Sequence, residues 1–262
     1  VADFETIRVE TTDAGVLAIT LNRPERLNAC PPQMADDIFA ALRDRGDARA
    51  ILLRGEGRAF CSGADLAANS QSSVKGGDRA HGSLTRHYNP MIMALSSVPV
   101  PVVSAVRGPA AGVGCSIALA ADFVIAAKSG YFLQAFVNIG LVPDGGSSWM
   151  LPRLVGTAQA TRMMMLGEKI GGEEAERIGL IYRCVEDDAL DAEAEALAAR
   201  LAGGPTVSLG LMKKTLRDGL QADLATTLAA EAEAQRLAGG TADAAEGAMA
   251  FLGKRKAQFQ GK

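Results

Sequence analysis

Three short runs of consecutive apolar residues set the terms on which this chain can fold: Ala50-Ile51-Leu52-Leu53, Pro101 to Val106, and Phe123 to Ala126. None alternates polar with apolar, so each has to bury both faces, as strands do in a sheet covered by helices on both sides. Helical stretches lie between them. Met34, Ile38 and Leu42 recur at helical spacing within 33–45, a second helix is expected from Tyr88 to Ser96, and Gly108 to Gly114 turns into a third that ends near Asp122. Upstream, Ile7 to Glu10 and Val16 to Leu21 read as a hairpin turning at Asp13-Ala14-Gly15. Buried strands alternating with helices give an α/β class. Beyond Ala189 the chain becomes rich in alanine, leucine and glutamate, broken at Gly203-Gly204-Pro205 and Gly239-Gly240. About three helices and no strands are expected there, which divides the chain into a core over 1–194 and a helical region over 195–262.

Charge and cysteine usage narrow the function. A net charge of −3 and an isoelectric point near 5.5 argue against nucleic acid or an anionic membrane as the main partner. The most apolar stretch, Ala110 to Ala127, carries two glycines, Ser116 and Asp122. It falls short of the ~20 apolar residues of a membrane span, so it reads as a buried helix running into a strand. The opening VADFETIRVE is charged and alternating, unlike a secretion signal. Cys30, Cys61, Cys115 and Cys184 lie far apart with no CxxC pair, which fits a reducing cytoplasm, no disulfide framework and no metal site.

Two loops carry the chemistry. Phe60-Cys61-Ser62-Gly63-Ala64-Asp65-Leu66 leaves the strand that begins at Ala50, with Gly63 permitting an unusual turn. Gly108-Pro109-Ala110-Ala111-Gly112-Val113-Gly114-Cys115 leads into a helix, whose first N–H groups lack partners and carry partial positive charge. A glycine ahead of a helix is more often a turn than an active site, so neither loop decides alone.

Together, and in this order, they resemble the crotonase (enoyl-CoA hydratase/isomerase) superfamily. The likeness extends over LNRPERLNA (21–29), FCSGADL (60–66), GPAAGVGCSIALAAD (108–122), GLVPDGG (140–146) and the terminal FLGKRKAQF (251–259). The resemblance implies a spiral of ββα units and a C-terminal helical region that assembles homotrimers or dimers of trimers. It implies an acyl-CoA substrate and no cofactor, the coenzyme A thioester being the substrate itself. The main-chain N–H groups of Ala64 and Val113 would form an oxyanion hole for the thioester oxygen, each donor supplying ~3 kcal/mol at best. Cys61, Gly63, Asp65, Leu66, Gly112, Ser116 and Phe136 would line the substrate, and Lys254 would reach the adenosine phosphates of CoA, from a neighbouring subunit if need be.

The hydratases of this superfamily activate water with two glutamates, and their positions fall on Ser116 and Phe136. Neither side chain is a general base at neutral pH. Asp144 remains. By itself an aspartate after a proline reads as a turn or helix cap. GLVPDGG, Tyr88-Asn89-Pro90 and QRLAGG (235–240) nevertheless resemble the phenylacetate-degradation enoyl-CoA isomerases, which also interconvert a ring epoxide and an oxepin, and in which this aspartate is the single acid/base. A dehalogenase-type relative uses a histidine at the position of Asn89; His81 and His87 read as surface histidines. Cys61 and Cys115 lack a histidine partner, Asp65 reads as a loop stabiliser and Asp122 as a helix end, and Trp149 with Met163-Met164-Met165 as core or acyl-pocket lining. A hydratase of broad or weak activity and a non-catalytic acyl-CoA-binding member are the alternatives.

Overall fold

The structure is a computed structural model that describes residues 4–65 and 76–262. Leu66 and part of the polar segment that follows it lie outside the described residues. In chain order the strands are β1 (Ile7–Thr11), β2 (Val16–Leu21), β3 (Ala50–Gly55), β4 (Val102–Val106), β5 (Pro109–Ala111), β6 (Phe123–Ala127), β7 (Tyr131–Leu133), β8 (Lys169–Gly171) and β9 (Arg183–Val185). The helices are α1 (Pro32–Arg43), α2 (Gly76–Ser83), α3 (Asn89–Ser97), α4 (Val113–Leu119), α5 (Ser147–Leu166), α6 (Gly172–Arg177), α7 (Leu190–Ala202), α8 (Thr206–Gly219), α9 (Leu224–Gly239) and α10 (Ala242–Leu252).

The three apolar runs become β3, β4 and β6, parallel neighbours in a sheet of order β1-β2-β3-β4-β6-β9, with β1 antiparallel at the edge. Successive side chains of a strand point to opposite faces. Ile51 and Leu53 accordingly join one core with Val102, Val106, Val124 and Ala126, while Ala50 and Leu52 join another with Val103, Ala105, Ile125 and Ala127. Two buried faces explain the absence of polar alternation. A smaller sheet of order β5-β7-β8 stands beside the first. Each of β4–β5–α4 and β6–β7–α5 is a strand–strand–helix unit, so the α/β spiral of ββα units is present.

The second core is closed by Leu190, Ala194, Ala198 and Ala202, one face of α7. Residue 195 therefore lies inside a helix that belongs to the sheet, and the helical region proper begins at α8. Four helices occupy the stretch where about three were expected. The extra break follows Gly219, and α9 then starts where the Asp223 carboxylate accepts from the Thr226 N–H.

Asp122 does more than end a helix. Its carboxylate accepts from the Val102 N–H at 2.8 Å, from Lys213 of α8 at 2.8 Å and from Arg217 at 3.2 Å. Lys213 is buried, and its ammonium also donates to the Leu95 and Val100 carbonyls, each at 3.3 Å. That desolvation pulls the lysine pKa down, and Asp122 opposes the shift. Removing either partner would strand a charge away from water, so this junction fixes where α8 sits. The tail is likewise tied back, with Asp243 accepting from the Gln260 and Gly261 N–H groups and Arg49 donating to the Phe259 carbonyl. Among the described residues no helix is long and apolar enough to cross a membrane.

Candidate active site

The 21–29 segment is scaffolding for the first loop. Asn28, fully buried, donates to the Glu56 and Ala59 carbonyls at 3.0 and 2.8 Å and accepts from the Arg23 N–H at 2.9 Å. The Arg23 guanidinium reaches the Ala29 carbonyl at 2.7 Å and the Asp65 carboxylate at 2.8 Å. Cys30 then holds both flanks of Ala64. Its N–H donates to the Gly63 carbonyl at 2.7 Å, and its carbonyl accepts from the Asp65 N–H at 3.0 Å and from the buried Tyr88 hydroxyl at 2.8 Å. With its neighbours bonded on that side, Ala64 turns its own N–H the other way, where it has no hydrogen-bond partner among the described residues. Gly63 makes the bend at φ 116°, and a Cβ there would sit 3.3 Å from the Ala111 carbonyl oxygen.

The second loop runs beside the first. The Cys61 N–H donates to the Pro109 carbonyl at 2.9 Å and the Ala111 N–H to the Cys61 carbonyl at 3.0 Å, a parallel bridge between Cys61 and Ala110. Counting on equally from that bridge brings Ala64 level with Val113. The Val113 N–H opens α4, so it has no acceptor within the helix, nor elsewhere among the described residues. Each loop thus carries one main-chain donor without a partner among the described residues, and the two loops touch where a Gly112 Cβ would lie 3.8 Å from the Gly63 Cα.

Asp144 completes the constellation. Its loop lies against α4: a Cβ on Gly145 would meet the Ser116 Cβ at 2.6 Å and the Val113 Cγ2 at 3.7 Å. One carboxylate oxygen, Oδ1, is buried with no hydrogen-bond partner among the described residues. Burial pushes the acid up from 3.8 to about 6, because the charged form loses water without gaining a compensating donor. Its titratable neighbour Tyr88 is pushed up as well, first by burial and then by the surrounding thiols and carboxylates, Asp144 included. A carboxylate with one buried, unpartnered oxygen and an acid raised toward neutrality, on a loop packed against the helix that Val113 opens, has the protonation behaviour of a general base.

The remaining candidates are placed as follows. Phe136 is buried, with its ring Cζ 3.7 Å from where a Gly112 Cβ would be. Ser116 is fully buried, and its hydroxyl faces the Asp144 loop. Burial pushes the Cys61 and Cys115 thiols up to about 12, so neither is a thiolate at neutral pH. His87 pairs with Asp36 at 2.9 Å, whereas His81 and Asn89 are exposed. Met163 is core and Met165 is exposed, while Trp149 stacks against the Arg153 guanidinium at 4.3 Å. Lys254 is exposed at the end of α10, and nothing among the described residues brings it to the two loops.

The sequence over 11–262 matches the family model for enoyl-CoA hydratase/isomerase. The chain belongs to the enoyl-CoA hydratase/isomerase family. A relative from Rhodobacter capsulatus, described as a probable enoyl-CoA hydratase, is 47% identical over 99% of both chains. The 1,2-epoxyphenylacetyl-CoA isomerase of Escherichia coli K12 is 42% identical over 95% of this chain and 97% of its own. Among solved structures, the enoyl-CoA hydratase of Bacillus anthracis superposes with a TM-score of 0.92 at 28% identity, covering 98% of this chain and all of that one. The protein is therefore an acyl-CoA enzyme of the crotonase superfamily, with the phenylacetate branch among its relatives.

Membership in the enoyl-CoA hydratase/isomerase family explains the loops, but several contributors carried no signal in the sequence. Arg23 and Asn28 stood within a recognised string without an individual role. Ser147 is unmarked in the sequence, since a serine at a helix start is ordinary, and only its contact with Ser116 distinguishes it.

Proposed function

We propose that the protein is an enoyl-CoA isomerase in which Asp144 is the single acid/base group. The thioester carbonyl lies between the Ala64 and Val113 N–H groups. The Asp144 carboxylate takes a proton from C2 or C4, the electron pair delocalises into a dienolate whose charge rests on the thioester oxygen, and the carboxyl returns the proton at the other end. One group suffices because the carboxylic acid formed by the first transfer, exchanging with solvent while the dienolate persists, is the donor for the second. Cys61, Gly63, Asp65, Gly112 and Phe136 shape the surroundings of the thioester, and Lys254 meets the CoA phosphates at a subunit boundary. The observation that carries this reading is the buried, unpartnered Oδ1 of Asp144, with its acid raised to about 6, on a loop packed against Val113. The name of the Escherichia coli relative, 1,2-epoxyphenylacetyl-CoA isomerase, makes a ring epoxide of phenylacetyl-CoA a second substrate to try.

Hydration is the competing reading, favoured by the description of the Rhodobacter capsulatus relative. It asks for water to be both held and activated, and Ser116 and Phe136 stand where that route keeps its glutamates. Incubation with 3-enoyl-CoA and with 2-enoyl-CoA in deuterated water separates the two. The expected result is movement of the double bond with deuterium entering at C2 or C4; 3-hydroxyacyl-CoA as the main product overturns the assignment.

We also infer a homotrimer or dimer of trimers built through the C-terminal helices. Met212 and Leu216 on α8, Leu220 just beyond it, and Phe251 and Leu252 on α10 are exposed, and an apolar cavity of about 380 Å³ opens between α5 and α8 beside Trp149. Apolar surface on this scale marks a contact, and symmetric closure is the ordinary outcome for homo-oligomers. Sedimentation at micromolar concentration should give three or six chains; a monomer removes this inference.

A further inference from the structure

Two serines stand behind the base. Ser116, on α4, and Ser147, first residue of α5, are both fully buried. The Ser116 hydroxyl donates to the main-chain carbonyl of Asp144 at 3.0 Å, and the two hydroxyls lie 2.9 Å apart. The Ser147 N–H donates to the same carbonyl at 3.1 Å. A carbonyl only accepts, so Ser116 is the donor in that bond, and with its proton placed there Ser147 donates to Ser116. The chain of bonds has a single polarity, Ser147 to Ser116 to the Asp144 carbonyl.

That chain restrains a loop whose backbone turns on two consecutive glycines. Gly145 and Gly146 follow Asp144 with φ 58° and 83°, and glycine leaves the Asp144 peptide free to swing through conformations closed to other residues. The contact of Gly145 with the Ser116 Cβ fills the space a larger residue at 116 would need. Ser116 also lies one helical turn beyond Val113, so the element that offers a donor to the thioester is the one that holds the base.

We propose that Ser116, backed by Ser147, is a positioning residue that fixes the Asp144 loop so that the carboxylate stays dry and aimed at the substrate carbon beside the Val113 N–H. The inference rests on Asp144 being the acid/base. In a purely structural role the two hydroxyls would satisfy each other, and their loss would lower stability without altering the chemical step. As positioning groups in one chain they act on kcat, and they act as a unit.

The test is a double-mutant cycle on the full-length protein, followed by isomerisation kinetics across pH. Ser116→Ala should lower kcat about 10-fold, as expected for one lost hydrogen bond at a reacting geometry, with KM changed less than about twofold. Ser147→Ala leaves Ser116 still able to donate, so it should cost about 3-fold, and Ser147→Thr should recover that loss. The double variant should be no worse than Ser116→Ala, whereas independent effects would multiply to about 30-fold. A loosened loop admits water to the carboxylate, so the acid limb of the profile should move to lower pH in Ser116→Ala, with Tyr88 still protonated throughout. Multiplying effects, or a kcat and acid limb left where they were, overturn the proposal. If Ser116→Ala does not fold, Ser147→Ala decides alone: a lowered kcat with a lowered acid limb supports the proposal, and wild-type values of both sink it. Asp144→Asn is measured in parallel. Activity in that variant places the fault with the base itself, while an inactive Asp144→Asn beside unaffected serine variants removes only the positioning role.

Discussion

Replacing Asp144 by asparagine should abolish isomerisation while leaving the fold and acyl-CoA binding in place. The amide keeps the shape of the carboxyl and cannot take up a proton at neutral pH, so the loss should fall in the ~10²–10⁴-fold range of a general acid–base group. A pH profile of the unaltered enzyme carries the same information. The reaction starts from the carboxylate, whose acid is raised by burial to about 6. Below that pH the free enzyme is increasingly protonated, and kcat/KM should fall about tenfold per pH unit. An acid limb near the ordinary aspartate value of 3.8 would place the essential base elsewhere.

Stability should move in the opposite direction to activity. Above about pH 6 the Asp144 carboxyl is ionised in both folded and unfolded chains, and the folded state bears the whole desolvation cost. As pH falls from about 6 toward 3.8 the folded chain takes the proton first, and the cost is progressively relieved. At pH 7 that cost is about 1–2 kcal/mol once remaining contact with water is allowed for. Asp144→Asn should therefore melt a few degrees higher at pH 7, with the difference shrinking at pH 4. A variant that lost activity through misfolding would melt lower instead, so the two measurements together separate chemistry from damage.

The strands that could be read from sequence were those long enough to show burial on both faces, as Ala50 to Leu53 does with its residues divided between two cores. β5, β7, β8 and β9 are three residues each. Such strands are too short for any period to appear, and they exist because their partners are already in place. The break after Gly219 was open to reading, since a glycine followed by an aspartate cap is an ordinary stop and restart. The allegiance of α7 was not, because an alanine face looks alike whether it packs on a sheet or on another helix.

At the site, the two glycine loops and Asp144 were visible because strings of residues carry them. Arg23 with Asp65, Asn28 with Ala59, and Ser116 with Ser147 are pairs that only the fold brings together. Ser116 shows the difference most clearly. In sequence it is a hydroxyl at a position where a hydratase keeps a carboxylate; in the structure that hydroxyl is already engaged by the Asp144 loop. Installing glutamates at Ser116 and Phe136 would consequently have to displace Gly145 before any hydration could follow.

The oxyanion donors can be tested one main-chain atom at a time. Val113→Pro removes the N–H at the first position of α4, where proline is well tolerated because that N–H has no intrahelical acceptor. The preceding residue, Gly112, has φ 53° and ψ −126°, a glycine conformation away from the helical ψ that a following proline disfavours. The fold should survive, and the pyrrolidine keeps most of the buried apolar volume of valine. What is lost is one of two fixed donors to an oxygen whose charge grows as the proton leaves, and removing one such donor typically lowers kcat by ~10²–10³-fold. The ring also places Cδ where the N–H pointed, so the thioester oxygen cannot settle there. Affinity for the CoA portion, held by other contacts, should change far less than turnover. Val113→Ala trims the side chain and keeps the N–H, and it should lose far less activity than the proline variant. Near-normal turnover in a folded Val113→Pro protein would mean that the thioester oxygen does not sit between Val113 and Ala64.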